Sequence, residues 1–142
     1  ADTDPMKQVA HLMTLVGIGP NSSWKFVMEF FAWRNFKNGK EIGALSGLTP
    51  TPYDSGASLR EQGISKAGNK RIRTLAVEMA WVWLRFQPQS KLSQWYARRF
   101  GQGGKRMRRI GIVAVARKLL IDLWRYLEYD KIPEGARLKS SA

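Results

Sequence analysis

The sequence predicts a mainly α fold. Apolar residues recur at three- and four-residue spacing over several windows, as one face of a helix requires. Cap and breaker residues bound each window. No stretch alternates apolar and polar residues over the length of a strand, apart from two short segments with room for a small β-ribbon.

Asp2-Thr3-Asp4-Pro5 opens the first helix, with capping acids and an early proline, and it runs from about Met6 to Leu15. Val16-Gly17-Ile18-Gly19-Pro20 breaks it. Asn21-Ser22-Ser23 caps a second helix to about Trp33, with Trp24, Val27, Met28 and Phe31 on one face. A short helix over about Lys40–Leu45 ends at Gly47. From Gly47 to Gly68 the chain reads as one long irregular segment, rich in Gly, Pro and Ser. Within it Ser58-Leu59-Arg60 and Gly63-Ile64-Ser65 are the two segments that can pair as the ribbon.

Gly68-Asn69 opens a long helix to about Phe86, with Ile72, Leu75, Ala76, Met79, Ala80 and Trp83 as its buried stripe. Pro88 ends it. Ser90 caps the next, which holds Leu92, Trp95 and Tyr96. Gly101-Gln102-Gly103-Gly104 is a break. The last helix spans about Lys105–Tyr129, with Ile112, Ala116, Leu119, Leu120, Leu123 and Leu127 at helical spacing, and Pro133 and Gly135 end the ordered part. Trp81, Trp83 and Trp124 suit the core. Trp95-Tyr96, beside Arg98-Arg99, is the best candidate for an exposed aromatic platform.

The 142 residues fit a single domain, 1–142, and 44% are apolar, enough for a core. The 24 Lys and Arg against 11 Asp and Glu give a net charge of +13. A folded domain this basic meets a polyanion, and nucleic acid is the default. There is no cysteine, so disulfides and thiolate zinc sites are excluded. The one histidine, His11, excludes a multi-histidine metal site and reads as a core or surface residue. The acids are scattered, so no metal site and no cofactor are expected in this domain. No signal peptide or membrane span appears, which points to a cytoplasmic protein with no membrane partner. The start without Met reads as a fragment of something longer.

Three features carry chemistry. Gly17-Ile18-Gly19-Pro20 between two helices resembles a helix-hairpin-helix motif, in which Gly17 and Gly19 let backbone N–H groups approach a phosphate. The same turn also serves as a plain connector. Next, no acid interrupts the chain between Glu78 and Asp122, while Arg98, Arg99, Lys105, Arg106, Arg108 and Arg109 crowd around the glycine break. Charge runs are usually solvated faces, but uncompensated repulsion in so basic a chain favours phosphate binding. Finally, Ser55 lies in the long segment beside Asp54 and Gly56. A serine hydroxyl attacks phosphorus when cations neutralise the phosphate and a base takes its proton. Ser-Gly is otherwise a common turn, and Asp54, placed to orient or deprotonate the serine, is more often a turn cap.

Taken in order, GIGP, GLTP, Tyr53, Ser55-Gly56, ISKAGN, Arg71, Arg73 and AVARKLL resemble the C-terminal domain of Piv/MooV-like insertion-sequence transposases. This is the IS-one-ten family of bridge-RNA-guided recombinases. The likeness runs from Leu12 to about Leu127. It implies an absent N-terminal RuvC-like domain holding Mg2+ on four acids. It also implies a guide RNA, a homo-oligomer in the full-length protein, and Ser55 as the nucleophile that links covalently to DNA. Arg60, Lys66, Lys70, Arg71 and Arg73 are then candidates for holding the phosphate or nearby backbone. Alternatives from other classes are a non-enzymatic helix-hairpin-helix nucleic-acid-binding module and an oligomerisation module that uses the Trp-rich faces.

Overall fold

The computed structural model describes residues 4–31 and 56–139, without the side chains of 30, 31 and 56–69. Five helices make up the described chain: α1 (Pro5–Met13), α2 (Pro20–Phe26), α3 (Gly56–Phe86), α4 (Lys91–Arg99) and α5 (Lys105–Tyr129). There is no strand among the described residues, only one antiparallel bridge between Leu15 and Leu138. The expected helix over Lys40–Leu45 lies outside the described residues.

Local chemistry sets the helix ends. Asp4 caps α1, its carboxylate accepting from the Met6 N–H at 3.0 Å, and Pro5 takes the first position. Such a cap is worth about 1 kcal/mol. Pro20 likewise opens α2, which passes into a π-helical turn over Val27–Phe31. Ser90 caps α4 by accepting from the Ser93 N–H at 3.2 Å. Asp130 ends α5 in the left-handed region, with φ 54°.

The core lies where α3 packs on α5. Ile72, Ala76, Met79, Ala80 and Trp83 meet Ile112, Val115, Ala116, Leu119 and Leu123, all buried, and Leu75 is half-buried at the edge. Leu12, Leu15, Ile18 and Phe26 from the first two helices close one end. Trp83 is 1% exposed yet keeps its indole N–H satisfied, donating to Ser90 Oγ at 3.0 Å.

Four expectations are corrected. The irregular segment does not reach Gly68: the chain is helical from Gly56 onward, and the proposed ribbon residues Ser58–Arg60 and Gly63–Ser65 lie on α3. Gly63 and Gly68 each cost about 1 kcal/mol in a helix. No proline follows Pro52 in this stretch, and Leu59, Arg60, Glu61, Gln62, Lys66 and Ala67 are good helix formers. Trp81 is 45% exposed rather than in the core, because it lies on the outer side of the stripe that carries Trp83. The Trp95-Tyr96 platform is not exposed either. Tyr96 is buried between Trp81 and Phe100, and Trp95 is half-buried with its ring edge-on to Phe100.

The fourth correction concerns the end of the chain. Past Gly135 it continues as a strap along the α1–α2 turn. The Val16 N–H donates to the Arg137 carbonyl at 3.1 Å, and the Lys139 N–H to the Thr14 carbonyl at 2.7 Å. Gln87, 1% exposed, ties strap and turn together: its amide N–H groups reach the Val16 and Arg137 carbonyls, and its carbonyl accepts from the Arg137 N–H.

Candidate nucleic-acid interface

The cation-rich turn between α4 and α5 is built by tight backbone geometry. The Phe100 and Gly101 N–H groups both donate to the Tyr96 carbonyl, which ends α4. A Cβ on Gly101 would lie 2.9 Å from the Ala97 carbonyl oxygen, and one on Gly103 2.6 Å from Met107 Cβ. Gly101 and Gly103, which read as part of a break, therefore serve close approach. Phe100 anchors the turn, packed so closely on Gly111 that a Cβ there would lie 2.4 Å from its Cγ.

This turn holds out Arg98, Arg99, Lys105, Arg106, Arg108 and Arg109, every one exposed. None of them forms an ion pair among the described residues. Lys105, Arg106 and Arg108 sit in the first turn of a 25-residue helix whose N-cap, Gly104, offers no side-chain hydrogen bond. The helix dipole already makes that end positive. Cations there raise the potential further, so the site is poised for an anion rather than for stability. Burial pushes the Tyr96 hydroxyl above its ordinary pKa, while the charge of Arg108 pulls the other way.

The helix-hairpin-helix residues are placed by packing. Gly17 has φ +93°, and a Cβ on it would lie 3.0 Å from Phe86 Cβ. Gly19 is the N-cap of α2, with open space on its Cβ side. The Ile18 carbonyl accepts from Lys139 Nζ at 2.9 Å. On α3, Lys70 and Arg73 are exposed, and Arg71 pairs with Glu29 at 2.8 Å, tying α3 to the π-helical turn. Arg60 and Lys66 belong to the α3 backbone, and their side chains lie outside the described residues. Ser55 lies outside the described residues too.

Sequence reasoning passed over a second cationic surface. A cleft of about 610 Å³ opens between α4 and the second half of α5, floored by Trp83 and walled by the chain after Asp130. Arg117 and Lys118, which lie in the acid-free stretch and in the AVARKLL motif, line it with Arg98. Asp122 is the acid inside; burial raises its carboxyl above the ordinary 3.8, against the pull of Arg125, Lys118 and Lys131. No helix among the described residues is long and apolar enough to cross a membrane.

The sequence profile of the Transposase IS116/IS110/IS902 family matches residues 9–94. The putative transposase y4rJ of Sinorhizobium fredii is 43% identical over 132 residues, covering 92% of this chain and 33% of that protein. The transposase for insertion sequence element IS1328 of Yersinia enterocolitica is 31% identical over 115 residues, covering 80% of this chain and 34% of that protein. This chain thus spans about a third of the length of these curated relatives. No solved structure matches it.

Proposed function

The chain belongs to the IS116/IS110/IS902 family of transposases, and from that membership we propose that it is the part of a DNA transposase that grips nucleic acid and supplies a serine nucleophile for strand transfer. The observation that carries the binding half is the α4–α5 turn. Six exposed cations without a carboxylate partner among the described residues surround the positive end of α5. Phosphate backbones are the ligands that reward this arrangement, through charge neutralisation and counterion release.

The nucleophile is Ser55. It directly precedes Gly56, the first residue of a 31-residue helix. A helix N-terminus offers free N–H groups and a favourable dipole to a phosphate. Lys70 and Arg73 extend the positive charge along α3 beyond Arg60 and Lys66. In the reaction, the serine oxygen bonds to phosphorus as the bond to the 3′ oxygen breaks. The serine proton passes to a base, and the 3′ oxygen takes up a proton as it leaves. The phosphoserine diester keeps the energy of the broken bond, so rejoining needs no nucleotide cofactor. The resemblance implies that an assisting Mg2+ would be held on four acids of an N-terminal domain. A guide RNA and a homo-oligomer complete the reading that the resemblance implies.

The test is made in the longer enzyme that carries this domain. Ser55→Ala should abolish strand exchange and the covalent protein–DNA adduct, with folding and RNA binding unchanged. An adduct that survives the substitution would assign the chemistry to another residue, with Ser58 and Ser65 next. A second reading, assembly through apolar faces, draws support from Trp81, Val82 and Phe86, all exposed on α3. Sedimentation of the chain tests it, since a monomer at high concentration leaves those faces without an assembly role.

A further inference from the structure

We propose that the cleft between α4 and α5 binds one unpaired nucleotide of a nucleic-acid strand, with the base against Trp95 and the phosphate among Arg98, Arg117 and Lys118. The proposal rests on the nucleic-acid-binding reading above and adds a single-strand preference that the exposed arginine-rich turn cannot supply.

The size fits a ligand larger than a bare anion. About 610 Å³ lies in the range of pockets that enclose small organic molecules. The walls are of two kinds. Trp95, Leu92 and Ile121 are apolar, while six of the lining side chains are cationic and two acidic. Two of those cations are already answered, Lys91 by Glu134 at 3.3 Å and Arg125 by Asp122 at 3.9 Å. Arg98, Arg117, Lys118 and Lys131 form no ion pair within 4 Å among the described residues, although Asp122 feels the charges of Lys118 and Lys131 at longer range.

Arg117 gives the sharpest indication. Its Nε is buried and has no hydrogen-bond partner. The Nε itself is closed to solvent, so an incoming anion meets the rest of this guanidinium, which lines the cleft with its charge unanswered by a carboxylate within 4 Å among the described residues. A phosphate oxygen answers that charge, and guanidinium geometry suits it.

Trp95 supplies the other half. Its ring is fixed edge-on to Phe100 at 5.5 Å, and the Lys118 ammonium lies over it, 4.8 Å from the centroid. The ring is half-buried but the Lys118 side chain is exposed, so the ammonium is held only modestly. A base can take that place by stacking and free the ammonium for the phosphate attached to it. Duplex bases are stacked on each other and cannot enter a concave site, whereas an unpaired base can.

The experiment is calorimetric titration of this chain with a thymidylate tetranucleotide, with inorganic phosphate as competitor and a blunt duplex as the comparison. The parent chain should bind the tetranucleotide, and phosphate should compete only weakly. Arg117→Gln and Trp95→Leu should each weaken tetranucleotide binding about tenfold while duplex binding changes little. Lys118→Gln, an exposed substitution with little effect on folding, should weaken it in the same direction. Equal competition by phosphate would reduce the cleft to a plain anion site and overturn the proposal. Unchanged tetranucleotide binding in all three variants would overturn it as well. Duplex binding without tetranucleotide binding would overturn it while leaving the wider reading intact. Failure to bind either would remove both.

Discussion

Replacing Lys105, Arg108 and Arg109 together by Gln tests the binding surface most directly. These residues are spaced i, i+3 and i+4 at the start of α5, so their side chains share one face. Each phosphate neutralised on duplex DNA contributes about 0.9 to the slope of log affinity against log salt. If each of the three meets a phosphate, the variant's slope should be flatter by about 2.7. Fluorescence anisotropy of a labelled duplex, titrated at several KCl concentrations, measures it. Loss of fold cannot mimic the result. The three side chains are exposed, and Lys105 and Arg108 in the first turn oppose the dipole, so removing those two stabilises α5 by up to about 1 kcal/mol each. The variant should melt no lower than its parent. A slope that stays the same would mean that this face meets solvent or protein, and the argument from the α5 terminus would fail.

Gly111→Ala would drive a methyl into the root of the Phe100 side chain, where nothing flexible can yield. It should cost about 1–3 kcal/mol in urea unfolding, and a neutral result would show that Phe100 is not the anchor of the turn. Gln87→Leu removes three hydrogen bonds that tie the strap and the α1–α2 turn together. It should cost about 1–3 kcal/mol for each buried group left unpaired and speed hydrogen exchange at the Arg137 amide. Asp122 gives a pH signature. Burial raises its carboxyl in the folded chain, so the folded state holds that proton more tightly than the unfolded state. Stability from this site is present below the unfolded value and is lost as pH rises through the folded one. Asp122→Asn should remove that decline, gaining stability relative to the parent at pH 7 but not at pH 3; a parallel pair of pH profiles would contradict this.

The sequence was most readable where one physical signal dominated. The last helix was legible from end to end, because Gly104 before it and the loss of apolar spacing after Tyr129 agree with where the backbone turns. Ile72, Met79, Trp83, Ile112, Leu119 and Leu123 could be placed in the core for the same reason: a 3.6-residue period leaves little choice of face. Trp81 misled because hydrophobicity was weighed above phase; two residues from Trp83 on a helix, it points away. The start of α3 was hidden because glycine reads as a breaker when the neighbours' propensities are not summed over the window. The strap was invisible for a different reason. Arg137, Leu138 and Lys139 have no periodicity and few apolar atoms, and they are held by backbone carbonyls and a buried amide more than a hundred residues or a whole helix away. Of the candidate site, the charge run was plain. The cleft was not, since Arg98 and Arg117 come together only when α4 folds back on α5.

The manner in which the strap completes the α1–α2 turn bears on the order of assembly. The turn at Val16–Ile18 looks like a local element that its own few residues would specify. Yet the groups that satisfy it arrive from far downstream: the Gln87 amide donates to the Val16 carbonyl, the Arg137 carbonyl accepts from the Val16 N–H, and Lys139 Nζ donates to the Ile18 carbonyl. Contacts so distant in sequence form late, because the intervening chain must first be brought together. On a ribosome, the helices that flank the turn can emerge early, but the turn itself is finished only when almost the whole domain is out. A nascent chain therefore carries this turn unfinished until Arg137 and Lys139 have emerged and folded back on Val16 and Thr14.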